Sequence, residues 1–293
     1  MANLKVNTVS GIGTEGTVFD GGLKFRSLNY MTLPKGDTTQ RGRGRGIIAG
    51  GSPGADNNEQ IEFITIQSDG VVTEFGELAA ARRGCGGCSS STRGLIGGGT
   101  AGNPSPSFTS TVEQIQLATT ANATTFGNLN SNTRNIAGVS NATRGIFAGG
   151  GDNPTFIDVI DFFTIASAGN ATDFGNLLAA LKAASGVGSP TRGLFGGGQN
   201  PSFVNTIQSV TIATTGDATD FGDLTDERGP DNSQICSHLR GLFVGGENPG
   251  PTACNIIDAV TIATTGNATD FGDIRTSTSQ SAGCSDSHGG LVE

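Results

Sequence analysis

The sequence predicts an all-β fold, a β-propeller of six four-stranded blades, and three observations lead to this prediction. A segment of Arg-Gly, two apolar residues and glycine recurs five times, at steps of 48, 51, 48 and 48 residues. Each repeat contains runs in which apolar and polar residues alternate, the pattern of a half-buried strand. The repeats show no helical period, and four short strands in about 48 residues are typical of one propeller blade.

The first strand of each repeat starts at an arginine, in the order Arg45, Arg93, Arg144, Arg192 and Arg240. A second strand ends in an apolar-polar-apolar triplet, at residues 64–66, 115–117, 163–165, 210–212 and 260–262. We expect a tight turn next, since three copies carry Gly-Asn or Gly-Asp, which tolerate positive φ, at Gly169, Gly216 and Gly266.

A Phe-Gly pair with an aliphatic residue three positions later marks a third strand. The phenylalanines are Phe75, Phe126, Phe174, Phe221 and Phe271, and their recurrence predicts burial between adjacent blades. Small residues such as Ala137-Gly138-Val139 precede each Arg-Gly and suit a strand crowded near an axis. The five arginines are expected to be structural, because a planar guanidinium can satisfy several carbonyl or carboxylate oxygens at once. We expect them to meet the acids and amides that recur around Phe-Gly across each blade junction.

The two termini are expected to close the ring as one composite sixth blade. A further unit begins at Cys284. From its position 289, which corresponds to the repeat arginine, to the C-terminus and then from residue 1 to residue 44 there are 49 residues, one more period. Residues 17–28 read as strand, Gly turn and Phe-x-x-Leu, so residues 291–293 should pair beside a hairpin at 17–32. The chain is then a single domain, 1–293, in which 1–36 serve closure and virion attachment. Five blades plus an N-terminal arm remain the alternative.

Two resemblances to known families follow from these motifs. The diglycine after an apolar strand, followed by a strand, a hairpin and an aromatic residue, resembles the kelch family of propeller repeats over residues 45–292, although Phe stands where kelch repeats usually carry Trp. Residues 1–16 (MANLKVNTVSGIGTEG) and 30–41 (YMTLPKGDTTQR) resemble the opening of virion structural proteins of marine tailed phages, the cyanophages especially. This second resemblance implies a virion component.

Charge and hydropathy exclude several partners. With Lys+Arg 17 against Asp+Glu 26 the net charge is -9, which argues against a nucleic-acid partner. The sequence has no run of eighteen apolar residues and no apolar segment with a basic flank near Met1, so neither membrane insertion nor export is expected.

Five cysteines, an odd number at uneven spacing, predict reduced thiols made in a cytosol.

Candidate chemical motifs are better explained as repeat structure. Cys85-Gly86-Gly87-Cys88 is half a zinc site without a second pair, and Cys88 and Cys284 share a column with Val139. His238 and His288 fall in different columns. The paired carboxylates Asp220/Asp223 and Asp270/Asp273 flank Phe-Gly in columns that other repeats fill with Glu, Thr or Asn. No catalytic residue, cofactor or metal is therefore predicted.

The sequence thus predicts a non-enzymatic phage virion structural protein, a propeller module on the tail, a fibre or the head, in contact with other virion proteins and assembled in the host cytoplasm. The alternative is a host-surface adhesin whose loops at 100–109, 151–155 and 247–253 bind a carbohydrate. The lack of Trp and the single Tyr30 weaken this alternative, since sugar sites usually stack the ring on an aromatic face. An enzyme on a kelch-like propeller is the third hypothesis, and no unique constellation supports it.

Overall fold

The all-β prediction is confirmed. The computed structural model describes residues 45–52, 56–65, 71–102, 107–152, 154–230, 234–237, 239–250 and 252–278. Every regular element in these ranges is a β-strand, so they contain no helix that could cross a membrane. The chain divides into two compact units, Met1–Thr39 and Gln40–Glu293, and the first lies outside the described residues.

The strands form successive antiparallel blades, numbered here in chain order. Blade 1 contains β1 (Arg45–Ala49), β2 (Asn58–Thr65) and β3 (Thr73–Arg83). Blade 2 contains β4 (Gly86–Ser89), β5 (Arg93–Gly97), β6 (Thr100–Ala101), β7 (Ser107–Gln116) and β8 (Thr124–Thr133). Blade 3 contains β9 (Ala137–Ser140), β10 (Arg144–Ala148), β11 (Gly151–Asp152), β12 (Thr155–Phe156), β13 (Val159–Thr164) and β14 (Thr172–Asn176).

The last two blades repeat this order. Blade 4 contains β15 (Ser185–Gly188), β16 (Arg192–Gly196), β17 (Gln199–Asn200), β18 (Ser202–Phe203), β19 (Thr206–Thr211) and β20 (Thr219–Asp223). Blade 5 contains β21 (Gln234–Cys236), β22 (Arg240–Val244), β23 (Glu247–Asn248), β24 (Thr252–Thr261) and β25 (Thr269–Thr278). Four blades therefore have four main strands in the described part of the chain, and blade 1 has three.

Each main strand pairs with the next in a meander. In blade 3 the order is β9-β10-β13-β14, and in blade 4 it is β15-β16-β19-β20. The Arg-Gly strand keeps one register throughout: Arg144 lies opposite Thr164, as Arg192 lies opposite Thr211. This constant register means that corresponding residues of different blades occupy corresponding positions.

The small residues before each Arg-Gly form the inner strands. β4, β9, β15 and β21 lie side by side in that order. A Cβ placed on Gly138 would collide with the carbonyl oxygen of Gly87, and one on Gly186 with that of Gly138. Only glycine allows this approach of two backbones, which explains the small residues of the inner column.

Short hairpins after each diglycine connect neighbouring blades. β6 pairs with β7 of its own blade and with the end of β3 in blade 1, so blades 1 and 2 share one sheet. Isolated bridges join Lys182 to Gln199 and Gly229 to Glu247 in the equivalent places. This second layer of pairing could not be predicted from the sequence pattern.

The turn predicted at Gly-Asn and Gly-Asp is wrong in position. The tight turn lies earlier, where the amide of Ser167 bonds to the Thr164 carbonyl and that of Thr214 to the Thr211 carbonyl. The Gly-Asx-Ala residues that follow are not part of this turn. They run along the outer strand of the preceding blade, for example through a bond from Gly216 N to Phe174 O of 2.7 Å.

The hydrophobic core lies between blades. One cluster joins Cys88 and Leu95 of blade 2 to Phe147 and Phe163 of blade 3. Four of the five outer-strand phenylalanines are 3% exposed, in agreement with the prediction: Phe75, Phe126, Phe174 and Phe221. Phe271 contradicts it, being 52% exposed, because none of the described residues forms a following blade to cover it.

Replacing Phe174 by Ala should lower the free energy of unfolding by about 3 to 5 kcal/mol, since it empties a packed junction. Leu178→Ala is the control, and the loss of its side chain, which is 54% exposed, should cost about 1 kcal/mol or less. Urea unfolding of both variants measures the difference, and equal losses would contradict a core located at the junctions.

Candidate functional site

The predicted site residues meet at the junctions between blades. Four repeat arginines reach the following blade through Nη1, which donates to a backbone carbonyl: Arg45 to Leu117 (2.6 Å), Arg93 to Ile165 (2.6 Å), Arg144 to Ile212 (3.1 Å) and Arg192 to Ile262 (3.0 Å). Each guanidinium also lies over a phenylalanine ring, as Arg93 does over Phe126 at 5.8 Å. These contacts are of the kind expected for a structural arginine.

The partners of the arginines differ from the expected ones. We expected the acids and amides around Phe-Gly, whereas the acceptors are carbonyls at the end of the second strand. The tight turn exposes these carbonyl oxygens just where the guanidinium arrives. The side chains around Phe-Gly are occupied differently, for example by the local bond from Gly175 N to the Asp173 carboxylate.

The Gly-Asx-Ala segment forms a second set of junction contacts. Its Asx side chain accepts a backbone N–H from the preceding blade: Asn122 from Glu77, Asn170 from Asn128, Asp217 from Asn176 and Asn267 from Asp223. The following alanine then donates its own N–H to the carbonyl of the same residue, as Ala218 does to Asn176 at 2.8 Å. Asn122, Asn170 and Asn267 therefore have a structural role here, at positions that also match glycosylation acceptors.

The glycine of Phe-Gly makes this contact possible. A Cβ on Gly175 would lie 2.5 Å from the carbonyl oxygen of Gly216, and Gly76, Gly127 and Gly222 would meet the next blade in the same way. Gly272 in blade 5 has no atom within 4 Å of that point. The sequence showed the Phe-Gly pattern but not its cause, which is the approach of a neighbouring backbone.

Sequence reasoning missed a third set of contacts, in which a buried polar side chain of the second strand accepts an N–H from the preceding blade. Glu113 accepts from Ala79, Asp161 from Asn130, Gln208 from Leu178 and Asp258 from Thr225. All four side chains are 4% exposed or less. The sequence did not reveal this set because Glu, Asp and Gln alternate at the position. Each of the four residues nevertheless pairs with the apolar residue that lies three positions after the repeat arginine.

The charge of this buried column is compensated by an arginine at two of the four described junctions and in other ways at the remaining two. Arg82 forms an ion pair with Glu113, and Arg228 Nη1 lies 2.8 Å from Asp258 Oδ2; all four side chains are 2% exposed or less. The equivalent of Arg82 is Thr133 beside Asp161 and Leu181 beside Gln208. Both ion pairs satisfy the rule that a buried charge needs a partner, and Gln208 needs none.

Asp161 is therefore the exception among the acids of the column. Asn130 donates to it twice, from N at 2.9 Å and from Nδ2 at 2.5 Å, but supplies no positive charge. Burial raises the pKa of Asp161, and the nearby carboxylate of Asp173 adds to this effect, while the bonds from Asn130 oppose it. The folded protein thus favours the protonated form more than an exposed aspartate would.

The cysteine motif is part of the packed interior. Cys88 is 5% exposed, and burial raises the pKa of Cys85 to about 12 and that of Cys88 as well. Thiols held in the protonated form are poor nucleophiles and poor metal ligands. The described residues contain no group of three His, Cys, Asp or Glu side chains that could hold a metal, while His238, Cys284 and His288 lie outside the described residues.

The loops considered for carbohydrate binding contain the blade-connecting hairpins. β6, β11 and β23 begin the segments at 100–109, 151–155 and 247–253, and the structure adds a fourth, β17–β18, that the sequence analysis did not single out. Some of their aromatic side chains contact a cation at the end of the same blade: Arg134 lies 5.2 Å from the Phe108 ring and Lys182 5.9 Å from the Phe156 ring. The hairpins also contribute to the junctions, through the pairing of β3 with β6 and the bridges from Lys182 to Gln199 and from Gly229 to Glu247.

Comparisons with known proteins bear on the fold. No family model and no curated protein sequence matches the chain. A solved structure titled "Structure of YjhT" is similar, with a TM-score of 0.64 and 12% sequence identity over 78% of this chain and 81% of that chain. This similarity, together with the repeated meanders, identifies the fold as β-propeller-like.

Gly175→Ala should lower the free energy of unfolding by about 1 to 3 kcal/mol more than Gly216→Ala does. Both glycines have positive φ, +146° and +157°, but a Cβ on Gly216 would meet no atom within 4 Å, so the difference reports the contact of Gly175 with the Gly216 carbonyl. Chemical denaturation measures it, and equal effects would mean that the close approach does not constrain this position.

Asp161 should make stability depend on pH. Because its pKa is raised in the folded state, its favourable contribution is present below the ordinary value of 3.8 and is lost as pH rises through the folded pKa. Asp161→Asn should therefore gain stability relative to wild type between about pH 4 and pH 7. Urea unfolding across this range tests it, with Asp270→Asn at an exposed site as control; a constant difference would contradict the raised pKa.

Proposed function

We propose that this protein is a non-enzymatic structural component of a phage virion, a propeller-like module mounted on the tail, a fibre or the head. The observation that supports the structural role is that polar side chains of the repeat form hydrogen bonds between neighbouring blades. Arg93, Asn170 and Asp161, and their equivalents in other blades, all bond across junctions. Side chains that bond between blades stabilise the packing of one blade on the next. The repeated polar side chains therefore have structural partners.

The virion assignment rests on the N-terminal sequence. Residues 1–16 and 30–41 resemble the opening segments of virion structural proteins of marine tailed phages. The proposal assigns attachment through other virion proteins to the N-terminal segment, residues 1–36, in addition to its part in ring closure. The net charge of -9 favours protein partners over nucleic acid.

Labelling of purified particles tests this role. Antibodies against this chain, visualised by negative-stain electron microscopy with gold, should decorate every particle at one fixed position. Mass spectrometry of the same particles should detect the chain at constant stoichiometry. Its absence from particles that remain infectious and intact would exclude a structural role in the virion.

A host-surface adhesin is the second candidate, and the hairpin ends favour it. Pro154, Thr155, Pro201, Ser202 and Pro249 are exposed at the same end of successive blades. Such a surface offers hydroxyl and backbone groups to a saccharide. Binding of the purified protein to a glycan array, together with labelling at the distal tip of the particle, would favour the adhesin over the purely structural role.

We also propose that the ring contains six blades, the sixth composed of residues from both termini. The end surfaces of the described blades support this proposal over five blades. Blade 1 presents Val71, 86% exposed, where the other blades carry the Asx of Gly-Asx-Ala. Valine cannot accept the N–H of Asp273 in blade 5, as an Asx would in the other junctions, so blade 1 is a poor partner for blade 5.

Deleting Met1–Gly36 should then lower the midpoint of thermal unfolding, because it leaves strand edges and apolar surfaces open. Differential scanning calorimetry of the truncated and full chains measures the change. An unchanged midpoint would favour five blades plus an N-terminal arm.

A further inference from the structure

The last described blade ends in an apolar surface that differs from its equivalents. We define the terminal face as Ile235, Leu242, Phe271 and Ile274, all half-buried or exposed. The corresponding residues of blade 3 are buried: Val139 and Ile146 (0%), Phe174 (3%) and Leu177 (5%). The terminal face is therefore a further copy of a surface that is buried in blades 2, 3 and 4.

A glycine of the next blade covers the centre of this surface in blades 2, 3 and 4. A Cβ on Gly145 would lie 2.5 Å from Cys88 Sγ and 3.5 Å from Leu95 Cδ1. A Cβ on Gly193 would lie 2.7 Å from Val139 Cγ2, and one on Gly241 would collide with Val187. The occupant of this position is in each case the glycine of Arg-Gly in the following blade, and its lack of a side chain lets the strands meet.

The chain after Thr278 has the spacing of another such blade. Ala282 follows Phe271 by 11 residues, just as Ala137 follows Phe126, and Gly290 follows Ala282 by 8 residues, just as Gly145 follows Ala137. The residues 282–284, Ala-Gly-Cys, match the small residues of an inner strand. The segment 282–292 thus has the length and composition to continue the interface without insertion or deletion.

We infer that residues 282–292 of this chain dock on the terminal face, with Gly290 packed against Ile235 and Leu242. Val292 then takes the position that Phe147 holds in blade 3. The inference rests on the proposed six-blade ring and assigns the register of its closing strand. In a five-blade ring Gly46, the glycine after Arg45, would occupy this position instead.

Paired size changes test the register in the full chain. Gly290→Ala should lower Tm by about 2 to 12 °C, since the added methyl group collides with Ile235. Ile235→Ala removes the atoms in its way, so the double variant should unfold at nearly the same temperature as Ile235→Ala alone. Gly241→Ala, whose partner is Val187, is the matched control: Val187→Ala should relieve it and Ile235→Ala should not.

Three results would overturn the inference. Additive effects of Gly290→Ala and Ile235→Ala would mean that the two residues are not in contact. Relief of Gly46→Ala by Ile235→Ala would assign the position to blade 1. A dependence of Tm on protein concentration would assign it to a second copy of the chain.

A truncation after Thr278 separates this register from ring closure itself. If the truncated chain has a lower Tm while Gly290 and Ile235 do not couple, the segment closes the ring in another register. If the truncation leaves Tm unchanged, the C-terminal part of the proposed composite blade is itself wrong.

Discussion

The approach of one blade's backbone to the next is the constraint on which the other features depend. At Gly175 and Gly138 a single methyl group would collide with a carbonyl oxygen of the neighbouring blade. Because the backbones come this close, their N–H and C=O groups bond directly, as from Gly216 to Phe174. The phenylalanine beside that bond is then sealed from water. Glycine content, hydrogen bonding and burial are thus three aspects of one geometry.

The junctions solve a common electrostatic problem in three ways. Each buries a polar acceptor that receives an N–H from the preceding blade. Two junctions neutralise a carboxylate with a buried arginine, one uses the neutral Gln208, and one leaves Asp161 to an asparagine. A buried ion pair adds little net stability but is costly to break, whereas an amide is insensitive to pH. The stability of junctions with the same fold therefore depends on pH to different degrees.

The sequence predicted the strands well because their evidence is local. Alternation, Phe-Gly and the Arg-Gly period each lie within one repeat and identify the strands that begin at Arg144 and Val159. Contacts between repeats were harder to predict, since a period does not say which atoms of two blades meet. The arginine partners and the position of the Gly-Asx turn were wrong for this reason. The buried acceptors were missed because Glu113, Asp161 and Gln208 do not look alike.

The shared sheet of blades 1 and 2 has a consequence for synthesis of the protein. The end of β3 finds a partner only when β6 of the following repeat has been made. The same holds at Lys182 and Gly229, whose bridging residues lie 17 or 18 positions further along the chain. A blade emerging from the ribosome therefore completes its outer edge only after part of its successor has emerged. Folding is expected to advance in the direction of translation, and the outer edge of the newest blade stays incomplete until its successor has emerged.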